Sequence, residues 1–97
     1  MDIIDYFALE RLYRERRKVR QKVYVMAELG GLQREGKIIK EQDGRWLIEF
    51  FPYESPDRLE PSGRLYMGIR DFEIHPVDRQ IFDEYVQALY DEYSGET

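Results

Sequence analysis

The sequence predicts an α+β domain: a small antiparallel β-barrel flanked by an N-terminal and a C-terminal helix. Three observations carry that expectation. Residues 2–21 contain no glycine or proline and are rich in Leu, Glu, Arg, Lys and Ala, which favour helix. From Val23 the apolar residues fall at alternate positions, the period of a strand, and Asp43-Gly44 stands between two such runs. From Ile81 they return to spacings of three and four, the period of an amphipathic helix. With 97 residues and no repeat or linker, the chain reads as one domain over 1–97.

In the first helix, Asp2 is placed to cap the N-terminus and Asp5 lies near the positive end of the helix dipole. Ile4, Phe7, Ala8 and Leu12 form the expected buried stripe, and the polar second half is expected to project into solvent. Residues 22–77 form the β section. Val23, Val25, Ala27 and Leu29 share one face before Gly30-Gly31 breaks the run, as a tight turn or a bulge would. Asp43-Gly44 predicts a two-residue type I′ hairpin, because both central residues need positive φ. That hairpin would pair Gln42 with Arg45 and Ile39 with Ile48, and set Lys40 near Glu49. Residues 54–63, with two prolines and a glycine, read as a surface loop. Alternation resumes at Leu65, Met67 and Ile69, continues at Phe72 and Ile74, and stops at Pro76. Asp78 is the expected cap of a helix over 78–93, whose apolar face is Ile81, Phe82, Tyr85, Val86, Leu89, Tyr90 and Tyr93. Residues 94–97 read as a disordered tail.

The β section resembles SH3-like barrels of the Tudor and KOW kind. The resemblance rests on Gly36-Lys37-Ile38-Ile39, on Asp43-Gly44-Arg45-Trp46-Leu47-Ile48-Glu49-Phe50 and on Phe72-Glu73-Ile74-His75-Pro76, and it is one of pattern. An Sm-like barrel is the runner-up, because Gly31 and Gly36 resemble the first half of its motif and a helix precedes its bent sheet. The asparagine and the Arg-Gly pair of Sm-type RNA pockets are missing, Gly68-Ile69-Arg70 being the nearest counterpart.

Composition narrows function further. The absence of cysteine excludes disulfides, thiolate nucleophiles and cysteine zinc sites, and a lone histidine, His75, leaves little for a metal cluster. No metal and no cofactor are expected. No apolar run approaches the ~18 residues that would suggest a membrane span, and the acidic start lacks a signal peptide's basic region, so a cytoplasmic protein is expected. The net charge of -5 is unevenly spread. Between residues 11 and 22, Arg11, Arg14, Arg16, Arg17, Lys18, Arg20 and Lys22 face one acid, Glu15, whereas residues 78–97 are strongly acidic.

The basic helix end is the candidate partner-binding site, with Arg14, Arg16, Arg17, Lys18 and Arg20 as its residues. Its plainer reading is a solvated helix end that complements the dipole. Among the aromatic residues, Trp46, Phe50, Phe51 and Phe72 read as core, and Tyr53 and Tyr66 are candidates for an aromatic surface. The expected function is a non-catalytic adaptor or regulatory module that binds another protein, or itself, through the charged helix ends and the 54–63 loop. The alternative is a nucleic-acid-associated regulator using residues 11–22. No small-molecule substrate is expected, and catalysis through His75 with a distant serine is the one enzymatic form the residues offer.

Overall fold

The computed structural model describes residues 3–54, 59–60 and 62–94; Asp2, expected as a cap, lies outside them. Helix α1 spans Ile3–Lys18 and buries Ala8, Leu9 and Leu12. Leu9 rather than Phe7 completes the stripe, and Phe7 stays 40% exposed on the opposite side. The helix predicted over 2–21 ends at Lys18 because its last carbonyls are closed by a Schellman arrangement. Gln21 N–H donates to Arg16 O at 2.8 Å and Arg20 N–H to Arg17 O at 3.1 Å. That closure needs one left-handed residue, supplied by Arg20 at φ 57°. It turns the chain so that Val23 enters the sheet.

The strands are β1 (Tyr24–Leu29), β2 (Leu32–Gln42), β3 (Arg45–Phe50), β4 (Tyr53–Glu54), β5 (Leu59–Glu60), β6 (Gly63–Gly68) and β7 (Glu73–Ile74). Five of them form one antiparallel sheet in the order β6-β3-β2-β1-β7. Thus the α+β class and the antiparallel sheet are present. The order ends at β6 and β7, which do not pair with one another among the described residues. Gly30 and Gly31 (φ 59° and 83°) close the β1–β2 hairpin, and Asp43 and Gly44 (φ 54° and 80°) close β2–β3, each pair holding the positive φ that a type I′ turn requires.

Gln42 pairs with Arg45 as expected, but the rest of the expected register is displaced. A bulge between Ile38 and Lys40 sets Ile38, not Ile39, opposite Ile48. Ile38 thereby enters the core, and the carbonyl of Ile39 accepts the Tyr13 hydroxyl at 3.0 Å. The same shift brings Lys37, not Lys40, to Glu49, at 3.4 Å. Gly36 lies mid-sheet between Val25 and Phe50, where a Cβ would stand 2.7 Å from the Glu49 carbonyl oxygen. Only glycine permits that approach.

Of the loop expected over 54–63, Glu54, Leu59, Glu60 and Gly63 are in strands. Phe50 pairs with Gly63, Tyr53 with Glu60 and Glu54 with Leu59, so β4 and β5 continue the register of β3 and β6 as the far end of one hairpin. Residues 55–58 and 61 lie outside the described residues.

Helix α2 spans Pro76–Ser94. It begins earlier than predicted because Pro76 suits the first helical turn and His75 caps it: the Val77 N–H donates to His75 Nδ1 at 3.2 Å. Asp78 therefore lies within the first turn of the helix, and its buried carboxylate does other work. Oδ2 accepts the Tyr24 N–H at 2.8 Å, and Oδ1 accepts the Arg16 guanidinium. Phe82 and Leu89 are buried and Tyr85 and Val86 half-buried, but Tyr90 and Tyr93 are 44% and 59% exposed. The helix leans on α1 and the β7 end of the sheet rather than across the strands. Ser94 closes it, donating its hydroxyl to Tyr90 O at 2.6 Å; the rest of the expected tail, 95–97, lies outside the described residues.

The core forms between α1 and the sheet around Trp46, which is fully buried. Tyr6 and Tyr13 flank its ring, both with centroids 5.7 Å away. Phe50 and Phe72 are buried with it, as expected, and Phe51 is half-buried beside Tyr24. No helix of the described residues is long and apolar enough to cross a membrane.

Candidate functional site

The basic end of α1 is divided by the helix itself. Leu9, Leu12 and Arg16 follow a spacing of three and four, so Arg16 continues the buried stripe. Its side chain is 17% exposed and its partner Asp78 2%. Together with the Tyr24 amide, this ion pair ties α1, β1 and α2 into one joint. Arg16 is thus engaged in the interior of the fold.

The other four predicted residues remain at the surface. Arg14 and Lys18 form ion pairs along the helix with Glu10 (2.5 Å) and Glu15 (3.1 Å), at side-chain exposures of 71% and 70%. Exposed pairs of this kind contribute about 0.5 kcal/mol and exchange readily. Arg17 and Arg20 have no carboxylate partner among the described residues, nor do Lys22 and Lys40. Arg17 instead lies over the Tyr13 ring, 5.5 Å from its centroid. Tyr13 is itself held by its hydroxyl on Ile39 O and by edge contact with Trp46.

Arg17 stands between two shallow clefts at the seam of α1 and β2. One, of about 250 Å³, has Arg17, Arg20, Lys22 and Gln21 on its rim, Tyr13 and Ile39 in its wall and no acid. The other, of about 180 Å³, adds Arg14 and Lys40 and contains Glu10 and Glu41. Glu41 is already committed: its Oε2 accepts the Tyr6 hydroxyl at 2.7 Å and the Gly44 N–H at 2.7 Å. These bonds, first that from Tyr6, hold its carboxyl below the usual range. Burial, and then the contact with Glu41, push the Tyr6 hydroxyl far above its ordinary value. The seam therefore presents a cluster of unpaired cations on a fixed aromatic wall, suited to an anionic group.

Lys22, Lys40 and Tyr13 belong to this surface; Lys22 and Tyr13 lie in the 11–22 segment that the sequence offers to nucleic acid, whereas Lys40 is not among the site residues the sequence singles out. Lys40 comes from β2, and only folding brings it beside Arg17. The inward turn of Arg16 was legible in principle, since a polar residue at a core position of the stripe calls for a buried partner.

Of the two tyrosines of the predicted aromatic surface, Tyr66 alone has a described side chain. Tyr66 is 41% exposed on β6, its hydroxyl 3.4 Å from Gln42 Oε1. Tyr53 lies in β4, and its side chain is outside the described residues. His75 serves the N-terminus of α2, with Nε2 3.3 Å from Glu35. No group of three His, Cys, Asp or Glu among the described residues is placed to hold a metal ion. The fold and surface define a small α+β domain with an exposed basic seam. Comparison of the chain with protein-family models, curated proteins and solved structures gives no match.

Proposed function

We propose that this chain is a non-catalytic interaction module that binds an acidic surface of a protein partner through the α1–β2 seam. Arg17 and Arg20 are the central contacts, with Lys22 and Lys40 beside them and Arg14 and Lys18 at the rim. One observation carries this reading: the central cations have no carboxylate partner among the described residues and converge on a cleft whose lining contains no acid. A set that served only to complement the α1 dipole would not need Lys22 and Lys40, which lie beyond the helix. In this reading the sheet is an SH3- or Sm-like barrel left open between β6 and β7. The strand order supports that description, since the meander ends with β7 returning beside β1.

The nucleic-acid alternative is less well supported, because Arg17 covers the Tyr13 ring that a base would stack on. The test is binding to a polyglutamate peptide and to a single-stranded oligonucleotide across a salt series. The expected result is peptide binding that Arg17→Glu/Arg20→Glu abolishes and Arg14→Glu/Lys18→Glu only weakens. Tighter oligonucleotide binding with a steep salt dependence would move the function to nucleic acid. Binding indifferent to both variants would remove the seam from it.

A further inference from the structure

The β6 edge of the sheet holds an anomaly. Leu65 lies opposite Ile48 and shares the face of Met67, so it points to the core side. Ile48 is fully buried and Met67 7% exposed, yet Leu65 is 45% exposed. Among the described residues no strand lies beyond it to cover it. Edge strands in stable monomers are shortened, bulged, covered, or guarded by lysine or proline. Strand β6 is six residues long, pairs with β3 without a register break and contains no lysine or proline.

The directions of the β6 backbone groups follow from the neighbouring turn. Gln42 and Arg45 flank a two-residue loop, so the amide and carbonyl of Arg45 face β2. Alternation then points those of Trp46, Ile48 and Phe50 toward β6, where they meet Met67, Leu65 and Gly63. The groups of Arg64, Tyr66 and Gly68 must face outward. Gly68 agrees: its N–H turns away from β3 and donates to Asp71 Oδ2 at 3.1 Å, which ends the available edge on that side. Arg64 and Tyr66 are left with outward N–H and C=O groups.

We infer that β6 is a self-pairing edge and that two copies of this chain join through it as an antiparallel dimer. The strand fits its own copy in one register. With the two-fold axis at Leu65, Arg64 pairs with Tyr66 of the second copy and Tyr66 with its Arg64, giving four main-chain hydrogen bonds. The two leucines meet across the axis on the core side and cover each other. Each Arg64 then stands beside a tyrosine ring rather than another arginine, and its charge is already met by Glu49 Oε2 at 2.8 Å. The dimer merges two five-stranded sheets into one. It involves none of the seam residues and does not depend on their role.

The test is the mass in solution by sedimentation equilibrium, at low and high salt, with amide hydrogen exchange read at high and low protein concentration. The expected result is a dimer that persists in high salt, with the Arg64 and Tyr66 amides protected only when concentrated. Leu65→Lys sets two ammonium groups on the axis and abolishes the dimer, while the near-ultraviolet circular dichroism of the Trp46 core stays unchanged. A monomer at every concentration overturns the inference, as does a ring larger than two or a dimer whose Arg64 and Tyr66 amides exchange freely. Should Leu65→Lys fail to fold, the concentration dependence of those two amides in the wild-type chain decides alone.

Discussion

The two ends of the sheet are finished in opposite ways. At the β7 end the chain provides its own closure: a strand of two residues, a proline, and α2 laid against α1 through the Arg16–Asp78 pair. At the β6 end a longer strand stops with a core-facing leucine half bare. The difference shows that protecting an edge takes specific residues, and that a chain able to place them at one end has left the other available. Energetically, damage at the closed end should unravel the fold, whereas damage at the open end should be felt mainly in assembly.

The largest expected effect breaks the closed end. Asp78→Ala removes the acceptor of both Arg16 and the Tyr24 amide and leaves a largely buried guanidinium unpaired. A loss of about 3 kcal/mol in urea unfolding is expected. The double variant Arg16→Met/Asp78→Leu should recover most of it, because an apolar pair carries no desolvation cost. Recovery failing would mean that the Tyr24 amide bond dominates the joint.

A pair facing each other across β3 and β6 sharpens the contrast. Ile48→Ala empties a sealed position and should cost about 3 kcal/mol. Leu65→Ala, measured in dilute protein, should cost about 1 kcal/mol, since water already reaches that side chain. Equal losses would show that the β6 edge is covered within the monomer.

Comparing a Glu41 variant with the wild-type chain in acid isolates the α1 contacts from Glu49, whose carboxyl Arg64 of β6 also holds low. Glu41 has a folded pKa below its unfolded value of about 4.3, so its contribution is fully present above that value. It is lost as pH falls through the lower folded pKa. Glu41→Gln should flatten the acid limb of the stability curve below about pH 4, with little change in its neutral plateau beyond the lost charge-assisted bonds.

The smallest expected effect is a gain. Arg20 is held at φ 57°, and Arg20→Gly relieves that conformation while making the unfolded chain more flexible. A net rise of about 0.5 kcal/mol in unfolding free energy is expected. Because Arg20 is also a seam residue, the same variant should bind polyglutamate more weakly, separating stability from recognition at one position.

Much of the architecture was legible from local chemistry. Asp43-Gly44 and Gly30-Gly31 announced their turns because positive φ has few tenants, and the alternation of Val23, Val25 and Ala27 matches a buried strand face. What escaped depended on distant parts of the chain. The bulge at Ile39 could not be read from the hairpin, since its extra residue is accommodated by Tyr13 on α1. The continuation of β3 and β6 into β4 and β5 was hidden by prolines that resembled a plain loop. For the seam, the sequence showed the cations but not their sorting. Arg16 and Arg17 are neighbours in the chain, and helix geometry sends one to Asp78 and the other to the surface.

Trp46 is the single tryptophan of the chain, fully buried between two tyrosines, and its indole N–H has no hydrogen-bond partner among the described residues. That placement makes it an optical gauge of helix docking. An indole kept from water and from polar acceptors emits toward the blue, and tyrosines 5.7 Å away pass their excitation to it. If α1 lifts from the sheet, both signals change together, a red shift accompanied by the return of tyrosine emission. Events confined to the β6 edge should leave the colour of that emission untouched.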